Sequence, residues 1–233
     1  MWGGTMKVTW LGQAGFLLEK NGKKILIDPY LSDACGKRNP ASRRRLPLQE
    51  EFLSIVPDVI LLTHAHADHT DLETLQHYLP GNGNVLVLAG ANAWQEVRTL
   101  GGSNNYVRFR PGCRWTWENF TFTAVKAEHS DPESIGVIVD DGSRKLYFTG
   151  DTLYQEEIFS MLPKDLWAVF LPINGRGNNM NAADAAAFAR RTGARYSIPV
   201  HYGMFDEIDP KVFCAENRLL PTPYQSISWE EDA

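Results

Sequence analysis

The chain has 233 residues, 43% of them hydrophobic and 22% charged, and its 28 acidic and 23 basic side chains leave a formal charge of −5. This length fits one large or two small units, with enough apolar material for a core that needs neither metal nor disulfide to fold. The acidic balance argues against coating of nucleic acid, no apolar run approaches the roughly 20 residues of a membrane span, and Met1-Trp2-Gly3-Gly4-Thr5 lacks the basic-then-apolar pattern of a signal peptide.

Residues 1–5 read as an extension, and residues 6–233 as one α/β unit made of two similar halves. Met6–Trp10 alternates in polarity and is expected to be a strand, followed by strands over Ala14–Glu19 and Lys23–Asp28. Asn21-Gly22 between the last two is a two-residue hairpin turn, because both positions favour positive φ. Residues 33–57 hold Lys37, Arg38, Arg43, Arg44 and Arg45 and read as a loop with one short helix near Leu48–Leu53. Val59–Leu62 is a buried strand by its continuous apolar run. A helix over Leu72–Tyr78, a strand over Val85–Ala89 and a helix over Ala93–Leu100 follow.

The pattern then restarts with strands over Arg114–Trp117, Thr121–Ala127, Gly136–Val139 and Lys145–Thr149, with Asp141-Gly142 as a second hairpin turn. A helix near Gln155–Met161 and a strand over Ala168–Leu171 lead to an Ala-rich helix, Ala182–Arg191, with Asn181 as N-cap and Gly193 as stop. A strand over Arg195–Val200, a helix over Pro210–Leu219 and an edge strand over Gln225–Trp229 complete the chain. Trp115, Trp117 and Trp229 read as core or sheet-face aromatics.

Thr63-His64-Ala65-His66-Ala67-Asp68-His69 directly follows the buried strand Val59–Leu62. Three imidazoles and a carboxylate within six residues are good ligands for divalent transition ions, and the end of a strand is where open α/β sheets place their sites. His129, Asp151 and His201 each follow a further strand. His77 falls in a helix and has no expected ligand role. Cys35, Cys113 and Cys214 are widely spaced and lack a C-x-x-C pattern, so neither a disulfide framework nor a thiolate zinc site is expected, and a reducing cytoplasm is the expected location.

The order H-x-H-x-D-H, His129, Gly150-Asp151-Thr152, His201 resembles the metallo-β-lactamase-fold hydrolases over Met6 to about Trp229. Val8–Phe16, Ile27–Leu31 and Leu171–Arg176 resemble the branch that includes L-ascorbate-6-phosphate lactonase. The resemblance implies an α/β fold, a four-layer αββα sandwich of two mixed β-sheets flanked by helices. It also implies two divalent metal ions, with His64, His66 and His129 on the first, Asp68, His69 and His201 on the second, and Asp151 bridging. Zinc, manganese and iron all suit such ligands, and the lactonase resemblance favours manganese.

Two ions about 3.5–4 Å apart can share a water and lower its pKa. A bridging hydroxide would then attack a carbonyl carbon or phosphorus, with Asp68 as the catalytic residue that orients it and shuttles its proton. The expected reaction is hydrolysis of a small ester, lactone or phosphoester, anionic or phosphorylated, with no membrane or nucleic-acid partner; self-association into a homo-oligomer stays open. Asn174, Arg176 and Tyr202 are candidate substrate-binding residues, and the basic stretch Lys37–Arg45 could add charge over the same face. Alternative readings are a phosphodiesterase or nuclease on nucleic acid, and a non-hydrolytic di-iron redox module.

Overall fold

The computed structural model describes residues 4–229, apart from the side chains of residues 80 and 82. Residues 1–3 of the expected extension and residues 230–233 therefore lie outside the described residues. Strands β1 (Lys7–Gly12), β2 (Gly15–Lys20), β3 (Lys23–Ile27), β4 (Val59–Leu62), β5 (Leu86–Ala89) and β6 (Asn105–Arg108) lie side by side in one sheet. Strands β7 (Arg114–Trp117), β8 (Phe120–Lys126), β9 (Ile135–Asp140), β10 (Lys145–Phe148), β11 (Leu166–Pro172) and β12 (Tyr196–Val200) form the second, and β13 (Ser226–Ser228) returns to pair with β1 in the first. Both sheets are mixed: β3 to β6 are parallel and β1 to β3 antiparallel, while β10 to β12 are parallel and β7 to β10 antiparallel.

Helix α1 (Ala34–Arg38) follows β3, α2 (Leu72–Leu75) and α3 (Leu79–Asn82) connect β4 to β5, and α4 (Ala91–Val97) precedes β6. Helix α5 (Glu156–Phe159) precedes β11, and α6 (Ala182–Thr192) joins β11 to β12. The two-residue period of a strand divides its side chains between two cores. In β3 and β4, Ile25, Ile27, Val59 and Leu61 join the cluster shared with the second sheet, while Leu26, Ile60 and Leu62 join Leu75, Leu79, Ala93 and Val97 on the outer face. On the other side Phe188 and Ala185 of α6 pack with the second sheet. The molecule is thus helices, sheet, sheet, helices, and each fully buried Leu, Ile, Val or Phe contributes about 1.5–3 kcal/mol.

Most expected elements are present, with four differences. The helix expected over Leu72–Tyr78 ends at Leu75, and a separate short helix, α3, follows at Leu79–Asn82. Residues 105–108 form an unforeseen edge strand, β6. Residues 33–57 hold α1 and two 3₁₀ turns, Pro40–Ser42 and Glu50–Ser54, rather than one short helix. The expected helix over Pro210–Leu219 is only a 3₁₀ turn, Pro210–Val212, because the following backbone bonds to the sheet edge. There Ser197 N donates to Asn217 O at 3.0 Å and Leu219 N donates to Ser197 O at 2.9 Å. Among the described residues no helix is long and apolar enough to cross a membrane.

Strand direction sets the site. β1, β3, β4 and β5 run one way in their sheet, and β8, β10, β11 and β12 share a direction in theirs. The segments after these strands carry Gln13, Asp28, His64–His69, His129, Asp151, Asn174 and His201, and side-chain contacts among these residues gather at one edge of the sandwich.

Candidate metal centre

All seven side chains singled out by the H-x-H-x-D-H pattern and the later strand ends converge. His66 Nδ1 lies 3.0 Å from His64 Nε2 and 3.1 Å from His129 Nε2. His69 Nε2 lies 3.3 Å from His201 Nε2, and His201 Nε2 is 3.4 Å from Asp68 Oδ2. Asp151 stands between the two groups, with Oδ1 3.3 Å from His69 Nε2 and Oδ2 3.1 Å from His201 Nε2 and 3.9 Å from His129 Nε2. The sets His64–His66–His129, His64–His69–Asp151 and Asp68–His69–His201 each bring one ligand atom per residue within 4.8 Å of the others.

The loop after β4 is held by its own backbone. His69 N and Thr70 N both donate to His66 O, and Thr70 Oγ1 donates to His64 O at 2.7 Å. Ala65 N donates to Asp131 Oδ2 at 3.0 Å, and Asp131 is itself held by Asn92. Gly150, φ +61, must be glycine: a Cβ there would lie 2.8 Å from Ile135 O and 3.0 Å from Thr63 Cβ. That close approach brings Asp151 against the β4 loop.

Hydrogen bonds on the far ring nitrogens decide which nitrogen faces inward. Thr63 Oγ1 donates to Asp28 Oδ2 at 2.5 Å, so it accepts from His64 Nδ1–H at 3.0 Å and leaves His64 Nε2 a lone pair. His69 Nδ1–H donates to Asp28 Oδ2 at 2.8 Å, and His129 Nδ1–H donates to Asn178 O at 3.2 Å, with the same result for both Nε2 atoms. Asn174 presents its amide to His201 Nδ1 at 3.0 Å. The amide orientation that satisfies its otherwise unpartnered Oδ1 places that oxygen on Nδ1–H.

Burial holds the His64 and His129 imidazoles below their ordinary pKa. Burial also opposes charge on His69 and His201, but Asp151 and Asp68 outweigh it; His69 is raised and His201 pushed up to about 9. The same pairs hold the half-buried Asp68 and the buried Asp151 carboxyls below the usual carboxylate range against the penalty of burial. The cluster thus presents neutral imidazoles on one side and ionised carboxylates across the middle. Asp151 Oδ1 is buried with no hydrogen-bond partner. A buried carboxylate oxygen without a hydrogen bond, beside imidazoles whose outer nitrogens are already committed, fits a cation that takes the place of the protons favoured on His69 and His201.

The weaker candidates divide. Asn174 is half-buried against His201 and acts on that ring. Arg176 is exposed on the same loop, whose Asn178 and Asn179 hold His129 and Asp151. Tyr202 is buried, its ring centroid 5.1 Å from that of Trp10. In the basic stretch Arg44 donates to Tyr30 O, Leu46 O and Tyr224 Oη, Arg45 pairs with Glu207, and Arg43 lies 3.7 Å from Asp33. These three arginines are therefore directed at protein partners. His77 is exposed, in a turn after α2.

Sequence reasoning assigned no role to Asp28, Thr63, Gln13 or Asn179. Asp28 is buried, accepts from Thr63 N at 2.8 Å as well as from Thr63 Oγ1, and holds His69. Gln13 Nε2 donates to Asp68 Oδ2 at 2.7 Å and lies 3.1 Å from His201 Nε2, and Asn179 Nδ2 donates to Asp151 Oδ2 at 2.8 Å. The available signal for Asp28 was a carboxylate ending an apolar strand in Ile27-Asp28-Pro29.

Residues 23–202 match a family model described as the β-lactamase superfamily domain. The chain is 31% identical to a UPF0173 metal-dependent hydrolase of Geobacillus thermodenitrificans across 93% of both chains. It is 29% identical to another of Carboxydothermus hydrogenoformans across 87% of both. Its fold matches that of Igni18, a metallo hydrolase from Ignicoccus hospitalis, with a TM-score of 0.77 and 20% identity over 98% of this chain and all of that one. With two mixed sheets, outer helices and a His/Asp cluster where the strands end, the chain belongs to the UPF0173 metal-dependent hydrolase family of the metallo-β-lactamase fold.

Proposed function

We propose that this protein hydrolyses a small ester, lactone or phosphoester carrying negative charge, at a pair of divalent ions, manganese or zinc, with iron also fitting the ligands. His64, His66 and His129 hold one ion, Asp68, His69 and His201 the other, and Asp151 lies between. The observation that carries this reading is the unpartnered buried Oδ1 of Asp151 amid inward-facing imidazole nitrogens. Two such ions supply Lewis acidity and lower the pKa of water.

The chain's own residues do the rest. Asp68 is the most open of the three carboxylates here, its side chain 17% exposed against 6% for Asp151 and 1% for Asp28. Its lowered pKa keeps it ionised at neutral pH. It is therefore the group placed to accept a proton from the attacking water and return it to the leaving oxygen. Gln13 fixes its Oδ2, and Asn174 fixes the His201 ring. Arg176, exposed on the loop that holds three ligands, is positioned to meet a charged substituent of the substrate. The likeness of Val8–Phe16, Ile27–Leu31 and Leu171–Arg176 to the branch with L-ascorbate-6-phosphate lactonase supports including a phosphorylated lactone among the substrates tried.

The test is turnover of matched neutral and phosphorylated esters, lactones and phosphodiesters by enzyme of measured metal content. Hydrolysis of at least one class is expected. Arg176→Ala should raise KM for the phosphorylated member about threefold to fivefold, as suits a solvent-screened charge, and leave the neutral member's KM unchanged. No turnover of any class by enzyme carrying both ions would contradict the proposal.

A further inference from the structure

Beside the metal centre, between the end of β1 and the segment after His201, lies a cavity of about 260 Å³. Trp10, Leu46, Tyr202 and Met204 form its walls with three prolines from the segment after Tyr202, and no lining residue is charged. Trp10, Tyr202 and Met204 are buried, so the walls are set by packing. Gly12 keeps the site open at its base: with φ +90, a Cβ there would meet Met204 Cε at 2.7 Å and Leu46 Cδ2 at 2.8 Å.

Two observations tie the cavity to the chemistry. Gln13 belongs to its wall and to the metal cluster, reaching Asp68 Oδ2 at 2.7 Å, and Tyr202 is the residue after the ligand His201. The two basic residues that precede Leu46 face other partners, Arg44 bound to Leu46 O, Tyr30 O and Tyr224 Oη and Arg45 paired with Glu207. An uncharged apolar recess one side chain from a reacting centre selects the non-reacting part of a substrate.

We propose that this cavity receives an apolar group, a short alkyl chain or a single ring, joined to the bond that is hydrolysed. A dry cavity of roughly 150 Å³ holds benzene, so this one accepts a group somewhat larger. The inference rests on the hydrolase reading above and narrows its substrate to one with a charged or polar reacting end and an apolar arm.

The experiment compares two ester series with the metal-loaded enzyme, one lengthening the acyl chain from acetyl to hexanoyl and one lengthening the alcohol from ethyl to hexyl. Each buried methylene should raise kcat/KM about three- to fourfold, on the order of 100-fold over four methylenes, in the series whose arm enters the cavity. Thr222→Trp, at the exposed rim, and Leu46→Trp should each flatten that rise. Binding is read separately from turnover through the Trp10 indole N–H resonance during titration with 1-hexanol. That resonance should shift in the wild type and stay fixed in Thr222→Trp. If no ester turns over, the indole shift still decides the cavity, and the hydrolase reading fails only if the lactones and phosphodiesters of the wider substrate set are not turned over either. Flat series with a fixed indole resonance would overturn the proposal.

Discussion

The candidate ligand histidines are set by what lies behind them. Asp28, Thr63, Asn178 and Asn174 each take or orient the outer ring nitrogen, so that Nε2 of His64, His69, His129 and His201 points to the centre. Three of the residues involved, Gln13, Asp28 and His201, have positive φ of 52°, 41° and 58°. Such backbone costs about 1–3 kcal/mol per residue where the side chain does not favour it, and it persists only when neighbours fix it. Here His201 N donates to Gln13 O at 2.9 Å, and Thr63 holds Asp28. Asp28→Asn is expected to lower metal affinity about 10–100-fold while the chain still folds, because the neutral amide has one acceptor oxygen: set on His69 Nδ1 and Thr63 Oγ1, it leaves its NH2 facing the Thr63 N–H that the carboxylate accepts. Asp151→Ala should go further and abolish turnover, since it removes the group between both ligand sets. Metal affinity by competition with a chelating dye checks the first and a turnover assay the second, and unchanged affinity in Asp28→Asn would contradict its role. The H-x-H-x-D-H residues were readable because they crowd into one short stretch. Asp28 was not, since a single aspartate after a strand has many uses and only the fold brings it to His69.

Elements with continuous apolar or alternating runs, such as Val59–Leu62 and Ala182–Arg191, were readable, and Asn181 and Gly193 do cap α6 as their chemistry requires. Strand β6 was not, because Asn105-Tyr106-Val107-Arg108 is short, half-exposed and lies at an edge. The helix expected over 210–219 was lost to hydrogen bonds with β12 that no local pattern shows. A contact between elements of the two sheets gives a pH prediction. Lys20, ending β2, lies 2.8 Å from Asp141 in the β9–β10 turn, and both side chains are buried. Asp141 also accepts from the backbone N–H of Ser143 and Arg144. Burial would raise its pKa, but Lys20 and these donors outweigh it and hold it below the ordinary carboxylate value. A carboxyl depressed in the native state stabilises above its unfolded value, near 4, and loses that contribution as pH falls through the native value. Asp141→Asn should therefore cost about 3 kcal/mol at pH 7. The difference from wild type should shrink steadily below about pH 4 in urea melts across pH. A gap independent of pH would show that the charge does not act as described.

At the scale of the whole molecule, the two sheets each send strands of one direction toward the same edge, and the cluster takes its His and Asp side chains from both. His64, His66, Asp68 and His69 follow β4 of the first sheet, while His129, Asp151 and His201 follow β8, β10 and β12 of the second. Neither sheet alone supplies a complete set, so the spacing of the sandwich fixes the spacing of the two ligand groups. The order of the motifs along the chain was enough to point to this architecture. The cavity beside Gln13 and the partners of the basic stretch were not readable, because both depend on where residues 202–224 return across the end of β1. The most direct test of a two-ion centre is the molar metal content of purified protein saturated with manganese or zinc and then freed of excess, in wild type and in His201→Ala. Close to two ions per wild-type chain and close to one in the variant is the expected result. Wild-type chains that retain one ion or none, with the variant indistinguishable from them, would contradict it.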